Sequence, residues 1–300
     1  MWLKLKKMGC CLLIIVLLPY VMTVFINGPS ITAQSRVDQT YIQVEVSGEE
    51  AEEGQVIEMP LEDYGIGVMA KEIPADYEKE ALKAQAVLVR TDIYRQIQTG
   101  GNKKAVQGNF WNREEMQEAW GGKDRIYYRK FQDAWQETEG QILTWQGQPA
   151  YVPFFRLSIG CTRDGKEVLG NEDCPYLKIR ECPDDVEAEE QLQTVEVDDM
   201  DAEVTALDTA GYVTNVRVGQ ENMSGEEFRK KYELASSCFT LQRYNGKMRI
   251  TTRGVGHGLG MSQYSAHRMA KDGQTYDEIL NYFFEGCEQK EVAEILQNTE

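Results

Sequence analysis

The sequence predicts an α+β domain, a mixed and largely antiparallel sheet with packed helices and an open groove, behind one N-terminal transmembrane helix. Three observations lead there. Helix starts are separately capped, with Asn112 and Glu115, Ser224 and Glu227, and Thr275 and Glu278 at capping-box spacing. Strand-like stretches at Gln141–Trp145, Val213–Val218 and Ile250–Arg253 do not alternate regularly with helices, which excludes the βαβ repeat of a dinucleotide fold. Finally, an uncharged run from Met8 to Ile26 follows Lys4, Lys6 and Lys7.

That run is at the short end of the roughly 17 to 25 residues a spanning helix needs, and longer than a typical signal-peptide core. Ile31-Thr32-Ala33 beyond it is a weak cleavage site. Residues 1–26 are therefore expected to be an uncleaved anchor, with the lysines inside and the remaining chain outside. Cys10 and Cys11 lie near its cytoplasmic end, placed for acylation. Residues 27–55 read as a tether, carrying Gly28-Pro29-Ser30, a short strand Tyr41–Val46 and an acidic stretch at 47–54. The formal charge is −17 for 300 residues; without the three anchor lysines the soluble part stands at about −20. A balance this acidic excludes a nucleic-acid binder, which needs a basic footprint, and favours a neutral or stripped glycan over a phosphate-rich partner.

The domain is expected over 56–287. Val56 to Tyr64 leads into an apolar segment read as a strand ending at Glu72, because Pro74 biases Ile73 away from helical dihedrals. A helix follows, with Asp76 as its expected cap and Leu82, Ala86, Val89 and Ile93 as its core stripe. Gly100-Gly101 breaks it. Asn112 opens a helix to Trp120, and Arg125–Glu139 is a second, stopped by Gly140. Gln141–Trp145, the turn Gln146-Gly147 and Pro149–Phe155 then read as a hairpin. Ser158–Asp185 is loop-rich and contains Cys161, Cys174 and Cys182, and 184–203 is an acidic insert read as a solvated face or mobile segment. Beyond Val213–Val218 come a capped helix through Phe228, the strand Ile250–Arg253, a helix to Lys271, a last helix through Phe283, and a tail at 288–300.

Two stretches carry candidate chemistry. Glu72 is a carboxylate among Val68, Met69 and Ile73, apolar neighbours able to raise its pKa toward that of a working acid. From the residues alone it reads first as a solvated or ion-paired carboxylate. Arg90, beside the core stripe, reads as an arginine snorkelling along its helix or as one needing a buried partner. In Gly254-Val255-Gly256-His257-Gly258-Leu259-Gly260, alternate glycines permit positive φ and close backbone approach, so His257 sits in a rigid turn that suits a packed loop as well as a site.

Three ordered segments together resemble the stage II sporulation protein D family, also called the SpoIID/LytB domain. They are Glu72-Ile73-Pro74 with Glu80–Val87 and Arg90-Thr91; Glu167-Val168-Leu169-Gly170 with Pro175-Tyr176-Leu177; and Gly256–Tyr264 with Ile279–Gly286. The resemblance covers roughly 56–287. It implies a membrane-anchored enzyme acting in engulfment, partnered by an amidase and other membrane proteins, that cuts peptidoglycan glycan strands already stripped of their stem peptides. Members look like lytic transglycosylases, and no cofactor is expected for this chain. Glu72 then falls on the catalytic acid, and Arg90, Ser158, His257, Gln263 and Tyr264 fall on substrate-binding positions. The LytB branch implies an alternative, a non-catalytic wall-binding activator of an amidase. A purely structural anchor is a third class.

Some relatives hold zinc through Cys and His in the middle segment. Here His257 and His267 are the only histidines, so a zinc site needs Cys161, Cys174 and Cys182 plus a distant ligand, at a spacing that matches no standard pattern. An extracytoplasmic disulfide is the expectation instead, with Cys161 and Cys174 as the pair.

Overall fold

Helix Lys79–Thr99 is enclosed on nearly every side. Ala81, Leu82, Ala84 to Thr91 and Ile93 are all buried, a wider face than the expected stripe, and a helix apolar this far around belongs inside a core. The computed structural model describes residues 40–46, 55–100 and 105–296. The anchor at Met8–Ile26 and most of the tether lie outside them. Among the described residues no helix is long and apolar enough to cross a membrane.

In chain order, β1 (Tyr41–Glu45) and β2 (Val56–Pro60) precede α1 (Leu61–Glu72) and α2 (Lys79–Thr99), and β3 (Ala105–Gln107) returns to pair in parallel with Gln43–Glu45. The strand expected before Glu72 is instead the helix α1. A short apolar run has no decisive period of its own; the twelve residues of α1 bury Tyr64, Ile66, Met69 and Ala70, with Glu62 and Asp63 at the N-terminal end where the helix dipole favours anions. Pro74 acts as expected on its neighbour: Ile73 is extended (φ −125°, ψ 140°), so α1 stops at Glu72. Asp76 does not cap α2. The residue before the helix is Glu78, whose side chain makes no capping bond, because a turn with Tyr77 N donating to Pro74 O intervenes.

Two glycines explain how α1 packs. A Cβ on Gly65 would collide with the six-membered ring of Trp135, and one on Gly67 would lie 2.7 Å from the Trp111 carbonyl. Trp111 N donates to Gly67 O at 3.1 Å. Both segments therefore touch the backbone of α1 directly. The capped helix α3 (Arg113–Trp120) has the reciprocal bonds expected of Asn112 and Glu115, at 2.9 and 2.7 Å, and α4 (Asp124–Glu137) follows it.

The hairpin is shorter than its pattern. β4 (Gln141–Trp145) turns through Gln146 and Gly147, both at positive φ, into β5 (Gln148–Pro149). β6 (Phe154–Phe155) leaves it to pair in parallel with Met261–Ser262. After α5 (Gly165–Leu169), the strands β7 (Leu192–Asp198), β8 (Ala202–Leu207), β9 (Val213–Val218) and β10 (Glu221–Ser224), helix α6 (Gly225–Lys231), and strands β11 (Phe239–Tyr244) and β12 (Lys247–Arg253) form two three-stranded antiparallel sheets, ordered β10-β9-β8 and β11-β12-β7. They enclose a core of their own that includes Val216, Phe228, Phe239 and Ile250. Much of the acidic insert is thus sheet surface rather than a mobile segment, with Glu196 paired to Arg249, Asp199 to Arg243, and Asp201 and Glu203 to Arg217.

The chain then returns through β13 (Met261–Ser262), α7 (Gln263–Lys271), α8 (Tyr276–Phe283), β14 (Glu288–Glu291) and α9 (Val292–Leu296). The expected tail is in part structural: β14 pairs antiparallel with β4 along Glu288–Glu291. Around α2 the main core gathers Val87, Leu88, Leu143, Met261, Ile279 and Phe283. The architecture is α+β with mostly antiparallel pairing, divided among several small sheets instead of one.

Gly65→Ala tests the close contact on α1. Alanine improves helix propensity by about 1 kcal/mol, but its methyl must displace a buried indole, and overpacking costs typically about 1–3 kcal/mol. Net destabilisation is expected in urea unfolding; a more stable variant would show that Trp135 gives way freely.

Candidate active site

Glu72 is the last residue of α1, placed by the stop that Pro74 imposes through Ile73. It lines a cleft of about 300 Å³ with Lys71, Pro74, Trp111, Trp120 and Arg156. Two physical effects disfavour its anion. Partial burial pushes its pKa above the usual carboxylate value, with Lys71 opposing, and the negative end of the α1 dipole acts in the same direction as burial. Among the described residues its carboxylate has no hydrogen-bond or ion-pair partner, whereas Lys71 donates to Asn109 Oδ1 at 2.6 Å.

The aromatic wall comes from the capped-helix region. Trp111 and Trp120 meet edge to face at 6.4 Å between centroids, and Trp120 stacks on the buried Phe131 at 5.5 Å. Trp111 is fixed from behind by its bond to Gly67. Half-buried indoles backed in this way present flat apolar faces, the surface on which a sugar ring packs.

Arg156 forms the opposite character of the cleft. Its guanidinium donates to the Tyr77 hydroxyl and, through Nε and Nη2, to the two oxygens of Glu190 at 3.3 and 3.4 Å. Tyr77 is itself stacked on His267 at 4.4 Å, and His267 Nδ1 accepts from Glu78 N at 3.0 Å. Sequence reading missed Trp111, Trp120, Tyr77 and Arg156. The one available signal was the aromatic pair Phe110-Trp111 directly before a helix cap; Arg156 follows directly on the expected strand Pro149–Phe155, where nothing local marks it as a site residue.

Of the expected site residues, Glu72 lines the cleft and Tyr264 adjoins it, its backbone N–H donating to Arg156 O at 3.2 Å. The others lie elsewhere. Arg90 is only 2% exposed, stacks on Trp135 at 4.0 Å, and donates to the carbonyls of Trp135, Thr138 and Gln141 at 2.9, 2.7 and 3.2 Å. Its donors close the C-terminal end of α4 and do not line a groove. Gln263 is buried, donating to Gln85 Oε1 at 3.2 Å. Ser158 is buried as well: its N–H donates to Asp185 Oδ2 at 2.8 Å, and the Ser262 and Ser265 hydroxyls donate to the same carboxylate at 2.6 Å each. Asp185, assigned to the acidic surface by its sequence neighbours, is thus a fully buried joint between three segments.

His257 does not line the cleft either. Gly254, Gly256, Gly258 and Gly260 all have positive φ, and each packs where a Cβ would meet Leu157, Phe155, Tyr212 or Pro153. The loop is folded onto the body, with His257 Nδ1 accepting from Leu259 N at 3.1 Å and the ring beside Phe155. Burial pushes its pKa down to about 4, so the imidazole is neutral at pH 7. Of the three segments expected to converge on one groove, Glu72 lines this cleft, and Arg90 and His257 are not among its lining residues.

The cysteine expectations also change. Cys161, Cys174, Cys182, Cys238 and Cys287 are free thiols. Cys161 faces the Ala210 carbonyl, while Cys174 lies against the Tyr176 hydroxyl at 3.5 Å and packs in the main core's periphery with Cys287, so the expected Cys161–Cys174 pair points into different surroundings. Among the described residues no group of three His, Cys, Asp or Glu lies close enough together to hold a metal ion.

Two outcomes follow. Arg90→Met should destabilise the fold by roughly 3 kcal/mol or more, since hydrogen bonds to charged groups contribute about 1.5–3 kcal/mol each and three carbonyls lose their donor; a denaturation midpoint unchanged by the substitution would contradict this. His257, with a folded pKa below its unfolded value of 6.5, contributes stability that is present above pH 6.5 and lost as pH falls toward about 4. Urea unfolding between pH 7 and 4.5 should show this loss, and His257→Asn should remove that part of the slope.

The family model described as stage II sporulation protein, SpoIID, matches residues 49–145. The chain is 33% identical over 263 residues to stage II sporulation protein D of Bacillus subtilis (strain 168), covering 79% of this chain and 76% of that protein. It is 30% identical to the protein of the same name from Bacillus amyloliquefaciens, with the same coverage. It is also 24% identical to the amidase enhancer of Bacillus subtilis (strain 168), over 73% of this chain and 39% of that protein. With the Glu72-Ile73-Pro74 segment set at the mouth of a cleft and identity at this level across most of both chains, the chain belongs to the stage II sporulation protein D family.

Proposed function

We propose that this chain is a peptidoglycan lytic transglycosylase acting on peptide-stripped glycan strands, with Glu72 as its general acid and base. The observation that carries the proposal is a single carboxyl group, raised in pKa, lining a cleft walled by two indoles. A raised pKa keeps the acid form available to protonate the glycosidic oxygen as the bond to the anomeric carbon breaks. The resulting carboxylate then takes the proton of the same sugar's 6-hydroxyl, whose oxygen closes on the anomeric carbon and leaves a 1,6-anhydro end. Hydrolysis usually uses two carboxylates about 5 to 10 Å apart; among the described residues that line this cleft Glu72 is the one carboxylate, while Glu190, outside the lining, is bound to Arg156. In this reading Met8–Ile26 anchors the domain on the outer face of the membrane, beside an amidase and other membrane proteins of engulfment.

Similarity to a protein named amidase enhancer favours a second reading, a wall-binding module that activates an amidase. One substitution separates them. Glu72→Gln keeps size and hydrogen bonding but cannot carry a proton, so glycan release should fall by about 10⁴-fold or more, the upper end for acid–base groups, with binding of stripped glycan retained. Wild-type products should be one water lighter than hydrolysis products by mass spectrometry. Reducing ends would overturn the transglycosylase assignment; near-normal release by the variant would remove Glu72 from the chemistry. Undiminished stimulation of an amidase by a variant paired with a wild type that releases no glycan would favour the second reading.

A further inference from the structure

Proton transfer at Glu72 leaves Arg156 without a role, although both line the same cleft. Both its head and its main chain are held: the guanidinium carbon lies 4.9 Å from the Tyr77 ring centroid and Nη1 donates to the Tyr77 hydroxyl, while the backbone carbonyl of Arg156 accepts from Tyr264 N. What remains is the edge formed by Nε and Nη2, two parallel donors in the geometry that matches a carboxylate.

That edge is occupied by Glu190, one oxygen on each nitrogen, at 3.3 and 3.4 Å. These distances are long for charge-assisted bonds, which run near 2.7–2.9 Å, and the Glu190 side chain is 54% exposed. Arg163 shows what a structural pair looks like in the same chain: 2.6 Å to Asp208, with the two side chains 5% and 1% exposed. Glu190 is therefore a loosely held carboxylate on a well-held receptor. Exposed pairs of this kind contribute little and exchange readily.

The glycan supplies a matching group. Each muramic residue carries a lactyl ether; joined to a peptide, its carbonyl is a neutral amide, and hydrolysis of that amide leaves a free carboxylate. We propose that Arg156 binds the free lactyl carboxylate of a muramic residue in the cleft, displacing Glu190, and thereby selects stripped strands over peptide-bearing ones. The inference rests on the reading of the cleft as a peptidoglycan site. Arg156 is then a specificity residue and Glu190 an internal competitor for the same donors.

The two residues give opposite signs in one experiment. The full chain carrying Glu72→Gln, which binds without cleaving, is titrated with stripped glycan oligosaccharides bearing free lactyl carboxylates and with the same oligosaccharides converted to methyl amides. The carboxylate form should bind about tenfold more tightly, as expected for one charge-assisted fork. Adding Arg156→Gln should abolish the difference while leaving the amide affinity in place, which also shows that the variant is folded. Adding Glu190→Gln instead should widen the preference, because the competitor is lost. Equal binding of both forms by the Glu72→Gln chain, or a preference that survives Arg156→Gln, overturns the inference while leaving a glycan-cleaving enzyme intact. A smaller preference after Glu190→Gln overturns the displacement of Glu190. Binding of neither form, with no cleavage by the wild type, removes the peptidoglycan reading and this inference together.

Discussion

A buried guanidinium, held by backbone carbonyls and in no ion pair among the described residues, organises the region that carries Glu72. Arg90 keeps its charge inside the core because backbone carbonyls at the end of α4 accept its hydrogen bonds, where the helix dipole already concentrates negative potential. Desolvation pulls its pKa down to about 10, still well above neutrality. The same side chain stacks on Trp135, and Trp135 is the ring that Gly65 admits against α1. The orientation of α1, and with it the position of Glu72 at its end, is thus referred through one indole to α2. An arginine placed for packing does indirectly what a groove residue would have done by contact.

Asp185 is the complementary joint. Three buried groups, the Ser158 N–H and the hydroxyls of Ser262 and Ser265, donate to one carboxylate, yet burial still outweighs them and raises its pKa. The bonds fasten Pro183–Glu187 to the β6–β13 pair and the start of α7. Five residues further along the same segment, Glu190 reaches Arg156. A buried carboxylate and an exposed one on one short stretch therefore have different work: the first fixes the stretch, and the second meets the cleft.

The cleft combines three kinds of surface on three separate parts of the chain. The acid comes from a helix end, the aromatic wall from the loop before a capped helix and from that helix's last residue, and the cation from the residue after β6. None depends on the glycine loop for a side chain. That loop holds the β13 start against Pro153 and Phe155 and so sets the strand after which Arg156 emerges.

Local chemistry was legible in the sequence. The capping boxes at Asn112, Ser224 and Thr275, the turn at Gln146-Gly147, the extended Ile73 before Pro74 and the burial of Leu82, Ala86, Val89 and Ile93 all follow from spacing and residue type. Glu72 was singled out by its apolar neighbours and its motif, and it lines the cleft. What the tertiary structure decided was which side of each residue faces solvent. The segment before Glu72 became a helix because Gly65 and Gly67 let Trp135 and Trp111 reach its backbone, a partner choice that no local period encodes. Arg90, Ser158 and Gln263 carry polar groups in motif positions, and a motif fixes identity without direction; the core turned them inward. Arg156 is separated in sequence from Trp111 and Trp120, which flank one short helix, and the three line one cleft only where α1 ends, so their common surface exists only in the folded chain.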